Sequence, residues 1–289
     1  MMARLKEFLW PYTSGGIALA FSGGVDSSLL LAILVSMKQE RDFPLLVVNF
    51  HSVFHTTSEL EEARAFGASL GATIQVLPFD PLKVPGVRDN PVDRCYRCKQ
   101  GIFAQLKDLA DKNGIMTIID GTNADDLQTY RPGRRALKEL GVVSPLSALG
   151  ITKAEVRALA HERGLSVASK PAAPCLATRF PYGTTLTEAA VQQVAEGESF
   201  LRRFDSPSVP VRLRVHGKIA RIEVVPESFA SILDNRIAIV SKLKELSFDY
   251  VTLDLEGFRS GSLDIDLMRS ETPNSTSRGL NISTSGRGI

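Results

Sequence analysis

The chain has 289 residues, 44% hydrophobic and 23% charged, with a net charge of +2. That is an ordinary globular composition, with apolar material for one large or two modest domains. The near-neutral balance argues against nucleic acid or an anionic membrane as partner, and no apolar run reaches the ~18 residues of a membrane span.

The opening residues lack a long apolar core ahead of a small-residue cleavage site, so the protein is expected in the cytoplasm. Leu5, Phe8 and Leu9 mark one face of a short helix closed by Pro11. Residues 17–21 read as a short buried strand and 27–38, apolar on most sides, as a helix. A second strand follows over 44–50, an amphipathic helix over 57–71 ending at Gly71, and a third strand over 73–79. Residues 96–114 carry Ile102, Phe103, Leu106 and Leu109 on one side of a helix that stops at Gly114, and 115–120 supply a fourth strand. Apolar strands alternating with helices predict an α/β fold, a parallel doubly wound sheet covered on both faces. Its crossovers are right-handed, and its ligands bind beyond the carboxyl ends of the strands.

Thr152-Lys153-Ala154-Glu155 is a capping-box pattern that opens another helix. The loop "LSVASKPAAPCLATRFPYG" follows and carries Cys175. From Thr187 the order becomes helix, two alternating strands (211–215 and 219–225), a helix over 227–246 and a strand over 250–255. That order predicts a small α+β C-terminal domain. The expected division is 1–186, 187–268 and a Ser/Thr/Gly-rich tail, 269–289, that is expected to be disordered. There is no internal repeat.

The most informative stretch is "IALAFSGGVDSSLLLAILV", where Ser22, Gly23, Gly24, Asp26 and Ser27 lie between a strand and a helix. A Gly-rich turn there gathers backbone N–H groups at a helix N-terminus and suits a phosphate. Ser22 and Ser27 add hydroxyls. The loop has neither the Walker lysine nor the GxGxxG spacing. Asp26 would repel a bare phosphate and makes sense with a Mg²⁺ between them. The string "DGTNADD", with Gly121, falls at the end of the fourth strand.

Cys95, Cys98 and Cys175 are too few, and odd in number, for a disulfide framework. Cys95 and Cys98 are spaced to share one metal centre at a helix start. There the helix dipole, Arg94, Arg97 and Lys99 are expected to favour thiolates. A histidine (His51, His55, His161 or His216) could complete a zinc site, or three thiolates could hold a cubane cluster with its fourth iron open. Three unrelated buried thiols are the plain alternative.

"FSGGVDSSLL" resembles the signature of the PP-loop ATP pyrophosphatases, adenine nucleotide alpha hydrolase-like proteins, and "DGTNADD" is similar to strings near their phosphates. That resemblance implies AMP-forming activation with ATP and Mg²⁺, and places Ser22, Gly23, Gly24, Asp26, Ser27 and Gly121 at the nucleotide. The segments "RFPYGTTLT", "VRLRVHGKIARIEV", "YVTLDLEGFRSG" and "TYRPGRRALKELG" resemble, in order, the LarE family over residues 15–262. These are the ATP-dependent sulfur transferases of nickel-pincer nucleotide cofactor synthesis.

The resemblance implies adenylation of a carboxylate on a pyridinium biscarboxylate mononucleotide, then displacement of AMP by sulfur to give a thiocarboxylate. By position, Cys175 matches the sulfur-supplying cysteine and Arg179 an arginine beside it. Glu198 matches an acidic residue serving as Mg²⁺ ligand or base, and Lys99 a lysine beside the substrate. Arg212 and Arg214 alternate on a strand, so both face one side, and match a pair that binds the substrate phosphate. With Cys95 and Cys98 the chain resembles the three-cysteine branch, which holds a [4Fe-4S] cluster whose extra sulfide is the transferable sulfur. Sacrifice of the Cys175 sulfur is the alternative. The resemblance also implies a homo-oligomer, a hexamer, in transient contact with other cofactor-synthesis enzymes. Competing readings are a tRNA-thiolating PP-loop enzyme, an ammonia-using ligase and a non-catalytic nucleotide-binding module.

Overall fold

The computed structural model describes residues 1–127, 132–206 and 209–259. Its elements in chain order begin with α1 (Met2–Leu9), β1 (Ile17–Ala20), α2 (Val25–Glu40), β2 (Leu45–His51), α3 (Thr57–Ser69) and β3 (Ile74–Pro78). They continue with α4 (Arg94–Lys112), β4 (Thr117–Ile119), α5 (Gly133–Glu139), α6 (Pro145–Ala148) and α7 (Lys153–Glu162). The later part holds α8 (Glu188–Leu201), β5 (Arg212–His216), β6 (Ile219–Glu223), α9 (Phe229–Asp234), α10 (Arg236–Glu245) and β7 (Tyr250–Leu253).

The first sheet is parallel, in the order β3-β2-β1-β4. Ile17, Ala18 and Leu19 on β1 are all fully buried, so both faces of the strand are covered. Helix α2 buries Leu29, Leu30, Leu31, Ile33 and Leu34 completely, and apolar side chains on every side make it the central helix of the main core. The chain passes from β1 outward to β2 and β3, then returns to place β4 on the other flank of β1. The strand order therefore reverses between β1 and β4, and a crevice opens beyond their carboxyl ends. The loops at 21–24 and 120–127 both leave the sheet there.

The second sheet has the order β5-β6-β7, with β5 and β6 antiparallel and β6 and β7 parallel. Helices α9 and α10 make the connection that a parallel pair requires. Its core joins Leu213, Ile222 and Val224 to Val191 and Val194 of α8, and to Phe54, Leu176 and Phe180 from loops of the first sheet. Gly197 on α8 has no side chain where Leu213 packs, so α8 lies close on β5. Residues 1–258 form one compact unit.

Three sequence expectations shift. Helix α4 starts at Arg94 rather than at 96, so Cys95 and Cys98 lie within its first turns. The expected helix over 227–246 breaks at Asn235, whose backbone leaves the helical region while its side-chain amide donates to the Ser231 carbonyl at 2.8 Å. β4 covers three residues rather than six. The expected tail, 269–289, and parts of two resemblance segments, 129–131 and 260–261, lie outside the described residues.

Candidate active site

The glycine loop is a tight turn between β1 and α2 whose shape depends on its small residues. Gly23 has φ +73°, and a Cβ there would stand 2.9 Å from the Ala63 Cβ, so only glycine fits. Gly24 caps α2 in an extended conformation, which leaves the first N–H groups of a 16-residue helix free to meet an anion. The two serines brace the loop. Ser22 N donates to Ser27 Oγ (3.2 Å), the hydroxyls lie 3.1 Å apart, and Ser27 Oγ donates to the Gly24 carbonyl at 3.1 Å. Gly121 lets the end of β4 close on this loop, because a Cβ there would sit 2.9 Å from Ser27 N and 3.2 Å from the Asp26 Cβ.

Asp26 points out of the first turn of α2 and remains 17% exposed. Its carboxylate accepts from Asn123 Nδ2 at 3.2 Å and pairs with the ammonium of Lys153. Lys153 is the first residue of α7, inside a complete capping box formed by Thr152 and Glu155. A second lysine, Lys170, donates to the Gly23 carbonyl at 3.3 Å and pairs with Glu62 at 2.7 Å. Both lysines line a cleft of about 410 Å³ together with Ser22, Asp26, Gly121 and Lys99. The loop thus receives cations from distant segments that the loop itself lacks. Nothing local in the sequence marks Lys153 or Lys170 as a partner of this loop. They stand 127 and 147 residues from their partners, and no local spacing reports such a contact.

A hard carboxylate oxygen beside a phosphate cradle suits Mg²⁺, which takes one or two carboxylates and fills its shell with phosphate oxygens and water. In the structure that carboxylate is paired with the Lys153 ammonium. The nearby Asp120 is already engaged, accepting from Thr122 Oγ1 and Ser144 Oγ, each at 2.5 Å.

Helix α4 joins this cleft to the thiols. Lys99, one turn beyond Cys95, reaches within 4.0 Å of Asp120. Cys95, Cys98 and Cys175 are all half-buried. Burial, reinforced by the other two sulfurs and opposed by Arg94 and Lys99, pushes the Cys98 thiol up to about 12. Burial likewise raises Cys175 to about 11, against the pull of Arg94. This corrects the expectation of favoured thiolates for Cys98. Desolvation outweighs the cations, and Arg97 turns away to Asp93, its Nε at 2.9 and 3.0 Å from the two oxygens.

Arg94 is itself 2% exposed. It donates to Asn90, to the Ala177 carbonyl at 3.1 Å and to Cys95 Sγ at 3.7 Å, and has no carboxylate partner among the described residues. Among the described residues, no three His, Cys, Asp or Glu side chains gather as a site for a single metal ion. Cys95 Sγ lies 3.7 Å from the buried Arg94 guanidinium, and Cys95 and Cys175 both bear electrostatically on the Cys98 thiol; soft sulfurs are the donor type that iron–sulfur clusters take.

The arginines complete the site. Arg179 and Glu198 are buried and paired in two places, Nε to Oε1 at 2.6 Å and NH2 to Oε2 at 3.1 Å. Glu198 also accepts from Arg202 (3.1 Å) and from Leu213 N (3.0 Å). Arg179 NH1 donates to the Pro174 carbonyl at 3.0 Å, beside Cys175. Arg214 binds Glu223 through Nε at 3.0 Å and donates to the Thr178 carbonyl. Arg212, one pleat away, stacks over the Phe258 ring at 4.9 Å and makes no salt bridge among the described residues. Burial, helped by Arg179 and Arg214, pulls it down to about 10. A buried guanidinium without a direct carboxylate contact is of the type that takes up an anion.

The structure thus brings the predicted residues together in three groups. Ser22, Gly23, Gly24, Asp26, Ser27 and Gly121 line or shape the cleft, with Lys99 at its edge. Cys95, Cys98 and Cys175 lie along α4 and the turn 176–179. Arg179, Glu198, Arg212 and Arg214 join that turn to the second sheet. Among the described residues no helix is long and apolar enough to cross a membrane.

The family model for the PP-loop domain matches residues 1–79. The chain is 36% identical over 255 residues to the pyridinium-3,5-bisthiocarboxylic acid mononucleotide synthase of Lactiplantibacillus plantarum, covering 88% of this chain and 91% of that protein. It is 38% identical to an uncharacterised protein of Synechocystis (85% of this chain, 91% of the relative). It is 30% identical to one of Methanocaldococcus jannaschii, with 84% and 91% covered.

Proposed function

The chain belongs to the LarE family of ATP-dependent sulfurtransferases, and from that premise we propose that it converts a carboxylate of a pyridinium biscarboxylate mononucleotide to a thiocarboxylate. The juxtaposition that carries this reading is α4, with Cys95 among the thiols and Lys99, one turn on, at the nucleotide cleft.

In the first step the substrate carboxylate attacks the α-phosphorus of ATP, and the bond to pyrophosphate breaks. The loop N–H groups at 22–27, with Lys153 and Lys170, take up the charge of the leaving pyrophosphate. Asp26 would hold Mg²⁺, which supplies further charge neutralisation at the phosphates. A carboxylate is a poor electrophile, and as a mixed anhydride its oxygen leaves with AMP. In the second step a sulfur nucleophile attacks the acyl carbon, AMP departs, and a thiocarboxylate remains. Arg179 holds the Cys175 turn in place through Pro174, with Glu198 fixing Arg179. Arg212, with Arg214 beside it, binds the substrate phosphate. An iron–sulfur cluster held by Cys95, Cys98 and Cys175 would supply an exchangeable sulfide. Burial that disfavours the Cys175 thiolate accords with a sulfur source other than that thiolate. The exposed apolar side chains Leu233, Ile237 and Val240 along α9 and α10 support a homo-oligomer.

Anaerobic purification with iron and sulfide analysis, followed by turnover with ATP and the biscarboxylate nucleotide, tests the reading. Several turnovers with Cys175 intact by mass support it. One turnover leaving dehydroalanine at Cys175 replaces the sulfur source, and thiolated tRNA or an amide as product overturns the function.

A further inference from the structure

Between the nucleotide cleft and Cys175 runs a short strap, residues 170–175. Its first residue, Lys170, touches the phosphate loop through the Gly23 carbonyl. Its last is the sulfur-bearing cysteine. Pro171 and Pro174 have no N–H, and among the described residues Pro171, Ala172 and Ala173 make no main-chain hydrogen bond. The same three residues line the cleft. Conformational entropy opposes a fixed path for such a segment unless its ends are held.

Both ends are held by arginines. At the sulfur end Arg179 NH1 binds the Pro174 carbonyl at 3.0 Å, and Leu176 N binds the Phe54 carbonyl at 3.0 Å. At the nucleotide end Arg157 of α7 grips two carbonyls, Ala168 through NH1 at 2.5 Å and Lys170 through NH2 at 2.7 Å. Arg157 has no carboxylate partner among the described residues, so these carbonyls are the acceptors its charge serves. It lies one turn after Lys153, the residue paired with Asp26, so a single helix fixes both the loop's acid and the root of the strap.

We propose that Arg157 is a positioning residue for sulfur transfer: by clamping the Ala168 and Lys170 carbonyls it sets the strap, and so aligns Cys175 with the acyl-adenylate formed at the phosphate loop. This rests on the sulfurtransferase reading for its chemical consequence, though not for its structural one. Without the clamp, the loop, Asp26 and Lys153 still support adenylation. The acyl-adenylate then meets water before sulfur, giving back the carboxylate and AMP.

The test compares wild type with Arg157→Gln and Arg157→Lys. Hydrogen exchange of peptides spanning 167–180 is followed with and without a non-hydrolysable ATP analogue, alongside pyrophosphate and thiocarboxylate yields. In wild type the analogue slows exchange both at 22–30 and at the bonded ends of the strap, the amides of Lys170 and Leu176. In Arg157→Gln protection stays at 22–30 and is lost from the strap. Misplacement by about 1 Å costs on the order of 100-fold in rate, so thiocarboxylate formation falls ~10- to 100-fold, further than pyrophosphate release does. Pyrophosphate released per thiocarboxylate rises. The lysine variant keeps the charge without the two-carbonyl fork and falls between, and it carries the test if the glutamine variant does not fold. Wild-type strap protection in both variants, no strap protection in wild type, or equal loss of both yields overturns the proposal. Pyrophosphate release by wild type with no thiocarboxylate overturns the sulfurtransferase reading instead, and the exchange data still judge Arg157.

Discussion

Replacing Glu198 by alanine removes the acceptor on which the second sheet and the Cys175 turn converge. Arg179 is 3% exposed, and with Glu198 gone its Nε and NH2 lose both partners inside the core. Leu213 N, also buried, loses its acceptor at 3.0 Å. Arg202 is 41% exposed and turns to water at little cost. Breaking a buried pair from one side costs about 3–5 kcal/mol, because the surviving charge is left desolvated. For a unit of this size each kcal/mol lowers Tm by roughly 2–4 °C, so Glu198→Ala is expected to melt about 6–20 °C below wild type. Circular dichroism melts check this, and urea titration gives the free energy directly. The double variant Arg179→Leu/Glu198→Leu removes both charges and should recover most of the loss. A single variant within about 2 °C of wild type, or a double variant no better than the single, would refute the buried-pair reasoning.

Three further outcomes are expected. Gly121→Ala places a methyl 2.9 Å from Ser27 N, a backbone contact that cannot swing away. At about 1–3 kcal/mol of local overpacking, ATP affinity by calorimetry should fall ~5- to 150-fold, and wild-type affinity would contradict the tight loop. In iron-free folded protein Cys175 stays protonated up to about 11 and Cys98 up to about 12, whereas an ordinary thiol titrates near ~8.5. Alkylation at pH 8 should therefore run at least ~100-fold slower than after denaturation at Cys175, about tenfold slower again at Cys98, and accelerate as pH rises to the folded-state values, since only the thiolate reacts. A rate that levels off at pH 9 would show that burial is not raising them. Arg212→Ala, which removes a buried guanidinium that makes no salt bridge among the described residues, should raise the KM for the substrate mononucleotide more than that for ATP. Equal effects on both would place the substrate phosphate elsewhere.

Much of this architecture is legible in the sequence because its signals are local. The apolar run at 17–21 and the glycines after it announce a strand, a turn and a helix start within ten residues. The Thr152–Glu155 spacing likewise announces its own cap. What is not legible is contact across the fold. The pairing of Lys153 with Asp26 follows from the crevice between β1 and β4. Glu198 reads as a surface glutamate until Gly197 is seen to let α8 press onto Leu213. The charge state of Cys98 depends on burial, which outweighs the visible cationic neighbours Arg94 and Lys99. The break at Asn235 reflects a side chain competing for a helical carbonyl, a choice that propensity alone does not fix.

The central claim is that a substrate carboxylate is adenylated at the phosphate loop before sulfur arrives. Its most direct measurement follows oxygen. With the biscarboxylate nucleotide labelled with oxygen-18 in its ring carboxylates, one labelled oxygen should appear in the phosphate of AMP for each thiocarboxylate formed, and pyrophosphate should stay unlabelled. Label in inorganic phosphate with release of ADP, or unlabelled AMP beside the thiocarboxylate, would contradict the account.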